Sequence, residues 1–368
     1  MSNSTVNIFI VVQLGLENLS LCEFKDKSKE FNISYESVKI DTGGIEVIGI
    51  KKEDAYFLNE ILKTPTRIIL RLHSFKVRDL PKLYNKLIKI NWNEYFVGVS
   101  PKIKYKAVES RLFDSRKVEK AFVDAINFYQ DANAVKKKIL EDHQHDSPTL
   151  YIRNIENQMT ISIDTTGERL DKRGNKLQST TAPIRATIAS AALQALKEEG
   201  IDINRVIDPL AGSGTILIET KNFSSLLGRE FSFQNFVNYK GEKRESFKNP
   251  KEMSLISIEV DDHSFRALED NTKLIKEIEC IKEDFFNFER DIKDYVLITN
   301  PPYNERLKTQ KDFLKRFMEK STKLSPKAIL CIHPSKIKSP SKEYREGHIG
   351  PINNGGINVY FSLLEKIN

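Results

Sequence analysis

The carboxyl-terminal half of the chain alternates between short strands rich in β-branched residues and segments whose apolar residues recur at helical spacing. This alternation predicts an α/β fold, in which parallel strands joined by crossover helices form an open, doubly wound sheet. In such a sheet, ligands bind beyond the carboxyl ends of the strands. The predicted strands and helices, in turn, are residues 205–208, 215–220, 255–259, 264–275, 295–299, 312–322 and 328–333, followed by a last strand at 358–364.

The amino-terminal half predicts a smaller α+β arrangement. Its strands are predicted at residues 6–14, 38–40, 44–50 and 67–72, its helices at 17–22, 54–62, 80–88 and 116–129, and a hairpin at 150–155 and 159–164. A polar, glycine-punctuated stretch at residues 165–176 precedes a helix predicted at 183–199. Because 368 residues exceed what one core usually serves, we place a domain boundary in that stretch.

The charge balance of the chain favours an anionic partner. Lys and Arg total 58 against 51 Asp and Glu, which gives a net charge of +7 and a pI near 9.0. We therefore expect nucleic acid as the partner, ahead of acidic lipid. The sequence has neither a run of about 20 apolar residues nor a signal-like amino terminus, so we expect a cytoplasmic protein that does not bind membranes.

Cysteine and histidine usage predicts neither a disulfide framework nor a metal site. Cys22, Cys280 and Cys331 are odd in number and far apart in the sequence. His143 and His145 stand close together, but their acidic, polar segment is more typical of a solvated turn. We therefore expect no metal cofactor.

The strand at residues 205–208 breaks into a loop of small residues. The loop consists of Asp208, Pro209, Leu210, Ala211, Gly212, Ser213, Gly214 and Thr215. Glycines let a backbone approach a ligand closely before a helix begins, so this is a candidate cofactor-binding loop. It is neither the three-glycine dinucleotide fingerprint nor a P-loop. A plain tight turn between a strand and a helix is the alternative.

Two acids and an aromatic residue follow the next strands in order. Glu259 ends the second alternating strand, where a carboxylate can accept both hydroxyl hydrogens of a ribose. Asp284 follows at the position where a carboxylate can bind an adenine amino group, and Phe285 beside it can flank the ring. Each acid alone also fits an ordinary surface position. The ordered set is what points to a nucleoside-containing cofactor.

The strand at residues 295–299 ends in Asn300, Pro301, Pro302 and Tyr303. Two successive prolines fix φ and remove two backbone donors, which leaves carbonyl oxygens free to face a cleft. An exocyclic amine is a poor nucleophile because its lone pair is delocalised, so acceptors on both N–H bonds favour a tetrahedral nitrogen. We predict the Asn300 side-chain oxygen and the Pro301 carbonyl as these acceptors, with Tyr303 stacked on the base. A proline-rich turn is the alternative.

Basic residues mark two further segments. Lys102, Lys104 and Lys106 alternate with apolar residues, which on a strand places all three lysines on one face. That face fits contact with phosphates, and it equally fits an ordinary solvated strand. The boundary stretch at residues 165–176 is also basic. Its residues predicted to bind RNA are Arg169, Arg173 and Lys176.

The loop at residues 208–215 and the segment at 300–307 together resemble amino-methylating S-adenosylmethionine enzymes. The segment includes Glu305 and Arg306, which resemble the extension usual in THUMP-domain RNA guanine-N2 methyltransferases similar to bacterial large-subunit ribosomal RNA enzymes. Residues 167–174, 182–185 and 228–233 also resemble parts of that family. Three positions depart from it, with Ala211 for the usual Cys, Glu259 for Asp and Asn304 for Gly, and none removes a functional group that the mechanism needs.

The resemblance implies a Rossmann-like class I methyltransferase domain at residues 166–368. A ferredoxin-like subdomain at 1–60 and a THUMP RNA-binding domain at 61–165 are expected to precede it. S-adenosylmethionine is the implied cofactor and N2-methylguanosine in large-subunit ribosomal RNA the implied product, and we expect a monomer.

Three other functions fit parts of the same pattern. The first is a transfer RNA guanine-N2 methyltransferase, and the second is a DNA adenine-N6 methyltransferase, because residues 300–303 can present any exocyclic amine. The third is a non-catalytic RNA-binding or ribosome-assembly factor. The basic α+β module and the lack of a separate DNA target-recognition region disfavour the second, and the intact motif series disfavours the third.

Overall fold

The computed structural model describes residues 5–132, 147–174, 178, 184–241, 252–302 and 310–367. The elements of the first half are β1 (Thr5–Val11), α1 (Glu17–Glu30), β2 (Ser37–Asp41), β3 (Gly44–Lys51), α2 (Lys52–Ile61), β4 (Arg67–Lys76), α3 (Leu80–Leu87), β5 (Lys102–Val108), α4 (Ser115–Ala132), β6 (Thr149–Ile155) and β7 (Gln158–Asp164). Those of the second half are α5 (Ala186–Glu198), β8 (Arg205–Asp208), α6 (Thr215–Asn222), β9 (Ser254–Glu259), α7 (Asp262–Thr272), β10 (Ile278–Lys282), β11 (Val296–Thr299), α8 (Gln310–Lys323), β12 (Ala328–His333), β13 (Tyr344–Asn354) and β14 (Ile357–Lys366). Within these ranges, no helix is long and apolar enough to cross a membrane.

The first half forms one continuous seven-stranded sheet in the order β2-β3-β1-β4-β7-β6-β5. β4 pairs with both β1 and β7, so the segments on either side of residue 60 share a single sheet. The core on one face of this sheet includes Phe24 of α1, Leu58 of α2, Leu83 of α3 and Phe122 of α4. All four helices of this half therefore cover the same face. The division into a ferredoxin-like and a THUMP domain stays a prediction.

The second half forms another seven-stranded sheet, in the order β10-β9-β8-β11-β12-β14-β13. The first five strands are parallel, and β14 joins them antiparallel before pairing with β13. Within β8, Val206 belongs to the core on one face and Ile207 to the core on the other. Burial on both faces is what parallel sheets with helices on both sides require, which confirms the α/β prediction.

The two halves share their cores. Residues 223–241 follow α6, yet Phe231, Phe233 and Phe236 of this segment pack in the core of the first half. The Phe233 ring stacks on Tyr56 of α2, with the centroids 4.9 Å apart and the planes 3° from parallel. In the opposite direction, Leu16 belongs to a core of the second half. Residues 223–241 are called the aromatic insert below.

Candidate active site

The carboxyl ends of β8 and β11 meet in the middle of the second sheet. Val206 pairs with Val296, and Ile207 pairs with Leu297. From this pair the strand order runs outward in both directions, to β9 and β10 on one side and to β12 on the other. Such a switch point leaves a crevice in which ligands bind. The structure thus brings the loop at 208–215 and the segment beginning at Asn300 to one crevice.

The loop at residues 208–215, called the glycine loop below, contains two glycines in left-handed conformations. Gly212 has a φ of 55° and Gly214 a φ of 83°. A Cβ at Gly214 would lie 2.7 Å from Leu268 Cδ1, so this position excludes a side chain on steric grounds as well. The loop then turns into α6 at Thr215. Pro209, Ala211 and Ser213 are buried, so the loop contributes mainly backbone to the crevice.

A buried asparagine that the sequence did not indicate holds this loop in place. Asn271 of α7 donates from Nδ2 to the carbonyl oxygen of Ser213, over 3.0 Å, and to that of Gln178, over 2.9 Å. Its Oδ1 accepts from the backbone N–H of Gln178, also at 2.9 Å. The only signal in the sequence was a polar residue on the buried face of a predicted helix. We assign Asn271 a positioning role for the loop.

Glu259 links the ends of β8 and β9. Its Oε2 accepts from the backbone N–H of Gly212 at 2.8 Å, and its Oε1 accepts from the N–H of Asp261 at 2.9 Å. Each carboxylate oxygen keeps a second lone pair. The carboxylate therefore braces the glycine loop and can still accept hydrogens from a ligand. The predicted contact with a ribose stays a prediction.

Asp208 ends β8 with its side chain 1% exposed. Burial raises the pKa of this carboxyl to about 7, and the nearby Glu259 carboxylate acts in the same direction. The N–H of Leu210 donates to Oδ1 at 3.2 Å and offsets part of this rise. A carboxyl that changes charge near neutrality thus lies under the glycine loop.

The protonation of Asp208 should make stability depend on pH. Because its folded-state pKa lies above that of the unfolded chain, its contribution to stability is full below about pH 4 and is lost as the pH rises through about 7. The Asp208→Asn variant lacks this group. Over that pH interval its free energy of unfolding should fall by roughly 2–4 kcal/mol less than that of the wild type. Urea unfolding of both proteins from pH 4 to 8 measures the difference. Parallel pH profiles would contradict the assignment.

Asn300 follows β11 and carries a buried acceptor without a partner. Asn300 Oδ1 is buried and has no hydrogen-bond partner among the described residues. Leaving such a group unsatisfied costs about 1–3 kcal/mol, so it calls for an explanation. Pro301 is buried and Pro302 exposed. Tyr303 lies outside the described residues.

Asp284 and Phe285 occupy different environments at the end of β10. Asp284 is exposed, and its Oδ1 accepts from the N–H of Phe286 at 3.0 Å. Phe285 is 3% exposed, with its ring centroid 5.1 Å from that of Phe317 and 6.4 Å from that of Phe288. The ring of Phe285 therefore stabilises the core beneath the crevice. Its contact with an adenine ring stays a prediction.

The predicted RNA-binding residues fall into two groups. Lys102, Lys104 and Lys106 are all exposed on β5 and lie on one face, as the alternation predicted. Arg169 is partly exposed and forms a bidentate pair with Asp171, with both distances 2.8 Å. Lys176 lies outside the described residues.

The prediction that Arg173 binds RNA is wrong, because its guanidinium is buried between the two halves. Its Nε and Nη2 donate to the two carboxylate oxygens of Glu219 in α6, at 3.1 and 2.9 Å. Nη1 donates to the carbonyl of Leu170 at 2.6 Å, and Nη2 donates to that of Lys63 at 2.7 Å. Ser190 Oγ of α5 completes the group by donating to Glu219 at 2.5 Å. All three of its nitrogens donate within the protein, and the residue is 9% exposed.

Comparison with known proteins decides the nature of this half. Residues 173–334 match the family model for the RMKL-like methyltransferase domain, UPF0020. This region of the chain is similar to that methyltransferase domain. The match covers the crevice, the glycine loop and Asn300, and among the described residues no group of three or more His, Cys, Asp or Glu is placed to hold a metal ion.

Similar proteins extend the likeness beyond the RMKL-like domain. The ribosomal RNA large subunit methyltransferase K/L of Buchnera aphidicola subsp. Schizaphis graminum is 27% identical over 315 residues, which cover 77% of this chain and 44% of that protein. The chain thus spans less than half the length of that relative. YpsC of Bacillus subtilis, a candidate RNA methyltransferase, is 26% identical over 345 residues, covering 85% of this chain and 83% of YpsC. The crystal structure of SMU.472, a candidate methyltransferase in complex with SAH, shares the fold over all of both chains, with a TM-score of 0.79 and 19% identity.

Proposed function

We propose that this protein is an S-adenosylmethionine-dependent RNA methyltransferase that forms N2-methylguanosine, with large-subunit ribosomal RNA as its substrate. The observation that carries the proposal is the buried Asn300 Oδ1 at the switch point of an RMKL-like domain, an acceptor that no described residue satisfies. An acceptor without a partner is what an amino-group substrate needs and what an inert turn avoids.

The residues along the crevice fit S-adenosylmethionine. The backbone of the glycine loop allows close approach of a ligand at the end of β8, and the second lone pairs of Glu259 suit ribose hydroxyls at the end of β9. The exposed Asp284 carboxylate suits an adenine amino group at the end of β10. When bound, the cofactor supplies a methyl group on a sulfonium that is already an activated leaving group.

The Asn300 segment provides the positioning for methyl transfer. The Asn300 oxygen accepts one N–H of the target amine, and the Pro301 carbonyl accepts the other, so the nitrogen lone pair is freed from the ring and directed at the methyl carbon. Pro301 and Pro302 hold this geometry, because their φ angles are fixed. No acidic nucleophile is required, and catalysis comes from orientation and charge complementarity.

Two further observations support RNA as the substrate, and a third supports guanine N2 as the methylated atom. The relatives carry names that describe them as ribosomal RNA or RNA methyltransferases. The chain has a net charge of +7, as a nucleic-acid-binding protein commonly does. Guanine N2 is favoured by the resemblance of residues 300–307, including Glu305 and Arg306, to the ribosomal RNA branch of the family.

A methyl-transfer assay tests the proposal. Protein and methyl-labelled S-adenosylmethionine are incubated with unmodified large-subunit ribosomal RNA, transfer RNA or duplex DNA, and the product is digested for mass spectrometry. We expect label in ribosomal RNA as N2-methylguanosine. Label in transfer RNA alone would show that transfer RNA is the substrate instead, and label in DNA alone would refute the proposal. Failure to bind the cofactor in calorimetry would instead favour a non-catalytic factor.

Glu259→Gln should weaken binding of S-adenosylmethionine by about 10- to 100-fold. The amide puts an N–H group where Glu259 now accepts from the N–H of Gly212 or Asp261, so the loop loses a charge-assisted hydrogen bond. Isothermal titration calorimetry measures the affinity. The matched control is Glu269→Gln, an exposed residue of α7, which should bind as the wild type does. Equal affinity of all three proteins would exclude Glu259 from the cofactor site.

A further inference from the structure

The outer face of the first sheet is free of helices among the described residues. The helices α1 to α4 share a core with alternate residues of the strands, such as Ile103, Ile152 and Ile161. The residues between them in sequence therefore point to the opposite face. Phe9, Ile69 and Ser162 are buried in the middle of this face, whereas the polar residues of β5 at its edge are exposed and accessible to a partner.

Basic residues concentrate at one edge of this outer face. In the β5–β6 pair, Lys102 lies beside Thr149, Lys104 beside Tyr151 and Lys106 beside Arg153. The three lysines and Arg153 are exposed, and Tyr151 is half-buried. Residues two apart on a strand are about 6.6 Å from each other, so the lysines form an evenly spaced row. The lysine face consists of Lys102, Lys104, Lys106, Tyr151 and Arg153.

Two cations lie near the aromatic ring of this face. Lys104 Nζ is 5.2 Å from the centroid of the Tyr151 ring and donates to its hydroxyl over 3.4 Å. The Arg67 guanidinium carbon lies 5.7 Å from the same centroid. Proteins that bind single-stranded nucleic acid combine aromatic rings that stack on the bases with nearby cations that hold the phosphates.

The acids on this face do not neutralise the lysines. Asp164 of β7 forms an ion pair with Arg67, and Glu46 of β3 forms one with Arg71, at 2.7 Å. Both carboxylates therefore have a cation of their own. Among the described residues, Lys102, Lys106 and Arg153 form no ion pair, so their positive charge is available to an external anion.

We propose that the lysine face binds an unpaired segment of the RNA substrate, with phosphates along the lysine row and a base on the Tyr151 ring. The inference rests on the proposed function, since it assigns a surface to the same RNA. An unpaired strand is favoured over a duplex because a duplex keeps its base faces stacked and offers Tyr151 nothing to stack on. Charge complementarity and the central aromatic ring favour nucleic acid over an acidic protein.

Two double variants with the same change of charge test the lysine row. Lys104→Gln with Lys106→Gln removes two cations from the lysine face. Lys117→Gln with Lys120→Gln removes two exposed cations from α4, on the opposite side of the sheet. The probe is a fluorescein-labelled 12-nucleotide oligoadenylate, and fluorescence anisotropy is measured from 50 to 300 mM salt. For the lysine-face variant we expect at least about ten-fold weaker binding and a log–log salt slope smaller by about 1.4, as for two lost phosphate contacts.

Tyr151→Leu separates stacking from charge. This variant should bind oligoadenylate at least about five-fold more weakly with an unchanged salt slope, because it loses one base stack and no cation. The wild type should bind a 12-base-pair RNA duplex weakly, and Tyr151→Leu should bind that duplex with the same affinity. Equal losses in the two double variants, or wild-type binding of duplex and single strand with the same affinity, would overturn the proposal.

Two measurements keep this result distinct from the proposed function. All variants should bind S-adenosylmethionine as the wild type does and show the same melting temperature, because the altered residues lie in the first sheet or in α4, outside the candidate active site. If methyl transfer enters DNA alone while the lysine face binds oligoadenylate as expected, the proposed function fails and the RNA surface stands. If RNA is methylated but the lysine-face variant binds it normally, the surface assignment fails.

Discussion

Asn300→Ala is expected to lower the rate of methyl transfer by at least about 100- to 1,000-fold, the loss typical of removing one preorganised hydrogen-bonding group from an active site. The substitution deletes the Oδ1 at the end of β11, which has no partner in the part of the chain that the structure describes. Because the glycine loop and Glu259 are unaffected, affinity for S-adenosylmethionine should stay within about two-fold. Single-turnover transfer of labelled methyl to RNA measures the rate, and calorimetry measures the affinity.

The control for this variant is Asn235→Ala, an exposed asparagine of the aromatic insert. It should transfer methyl groups at the wild-type rate. Stability is a second readout, since removing a buried acceptor that lacks a partner should leave the protein as stable as before or slightly more so. Wild-type turnover by Asn300→Ala would refute the assignment of this residue. A parallel loss of cofactor affinity would assign it to the cofactor site instead.

Arg173→Ala is expected to destabilise the protein by about 3–5 kcal/mol, the cost of breaking a buried ion pair by removing one partner. The Glu219 carboxylate, 4% exposed in its side chain, is left with Ser190 alone from this network. The carbonyls of Leu170 and Lys63 lose a donor at the same time. Urea unfolding monitored by circular dichroism measures the free energy of unfolding.

An exposed ion pair of the same type provides the control. Arg205 and Asp294 are 54% and 81% exposed in their side chains and lie 3.4 Å apart. Arg205→Ala should therefore cost less than about 1 kcal/mol. Arg173→Met combined with Glu219→Leu should recover much of the lost stability, because it removes both charges together. A small effect of Arg173→Ala would mean that the junction is solvated.

Elements with strong apolar periodicity could be predicted from the sequence. The strand predicted at residues 328–333 is β12, with every residue buried, and the helix predicted at 183–199 contains α5. The strand β13 had no prediction, because only Tyr344 and Ile352 of its eleven residues are buried. It is an edge strand, and its pairing with β14 decides its structure. The helix α1 continues well past the predicted end at residue 22, because its second half is polar in sequence.

The candidate site likewise contains residues that could be predicted from the sequence and residues that could not. The glycine loop and the Asn300 segment are read from residue types that act locally, so their placement at the strand ends could be predicted. Arg173 could not be assigned correctly, because its partner Glu219 lies 46 residues away and burial depends on the packing of α5 and α6. Asn271 was missed for the same reason, since Ser213 is 58 residues away. The type of a charged residue limits the roles that it can have, but its tertiary environment decides which of them it has.

The aromatic insert has a consequence for how the chain folds during synthesis. Tyr56 obtains its stacking partner from Phe233, and Phe236 also packs edge-on against it. The first half therefore leaves the ribosome with an open apolar surface that is closed only after α5, β8 and α6 have also emerged. A fragment that stops at the domain boundary keeps that surface exposed, and it should aggregate or recruit chaperones where the full chain does not. The core of the first half is thus completed by a loop that belongs in sequence to the second half.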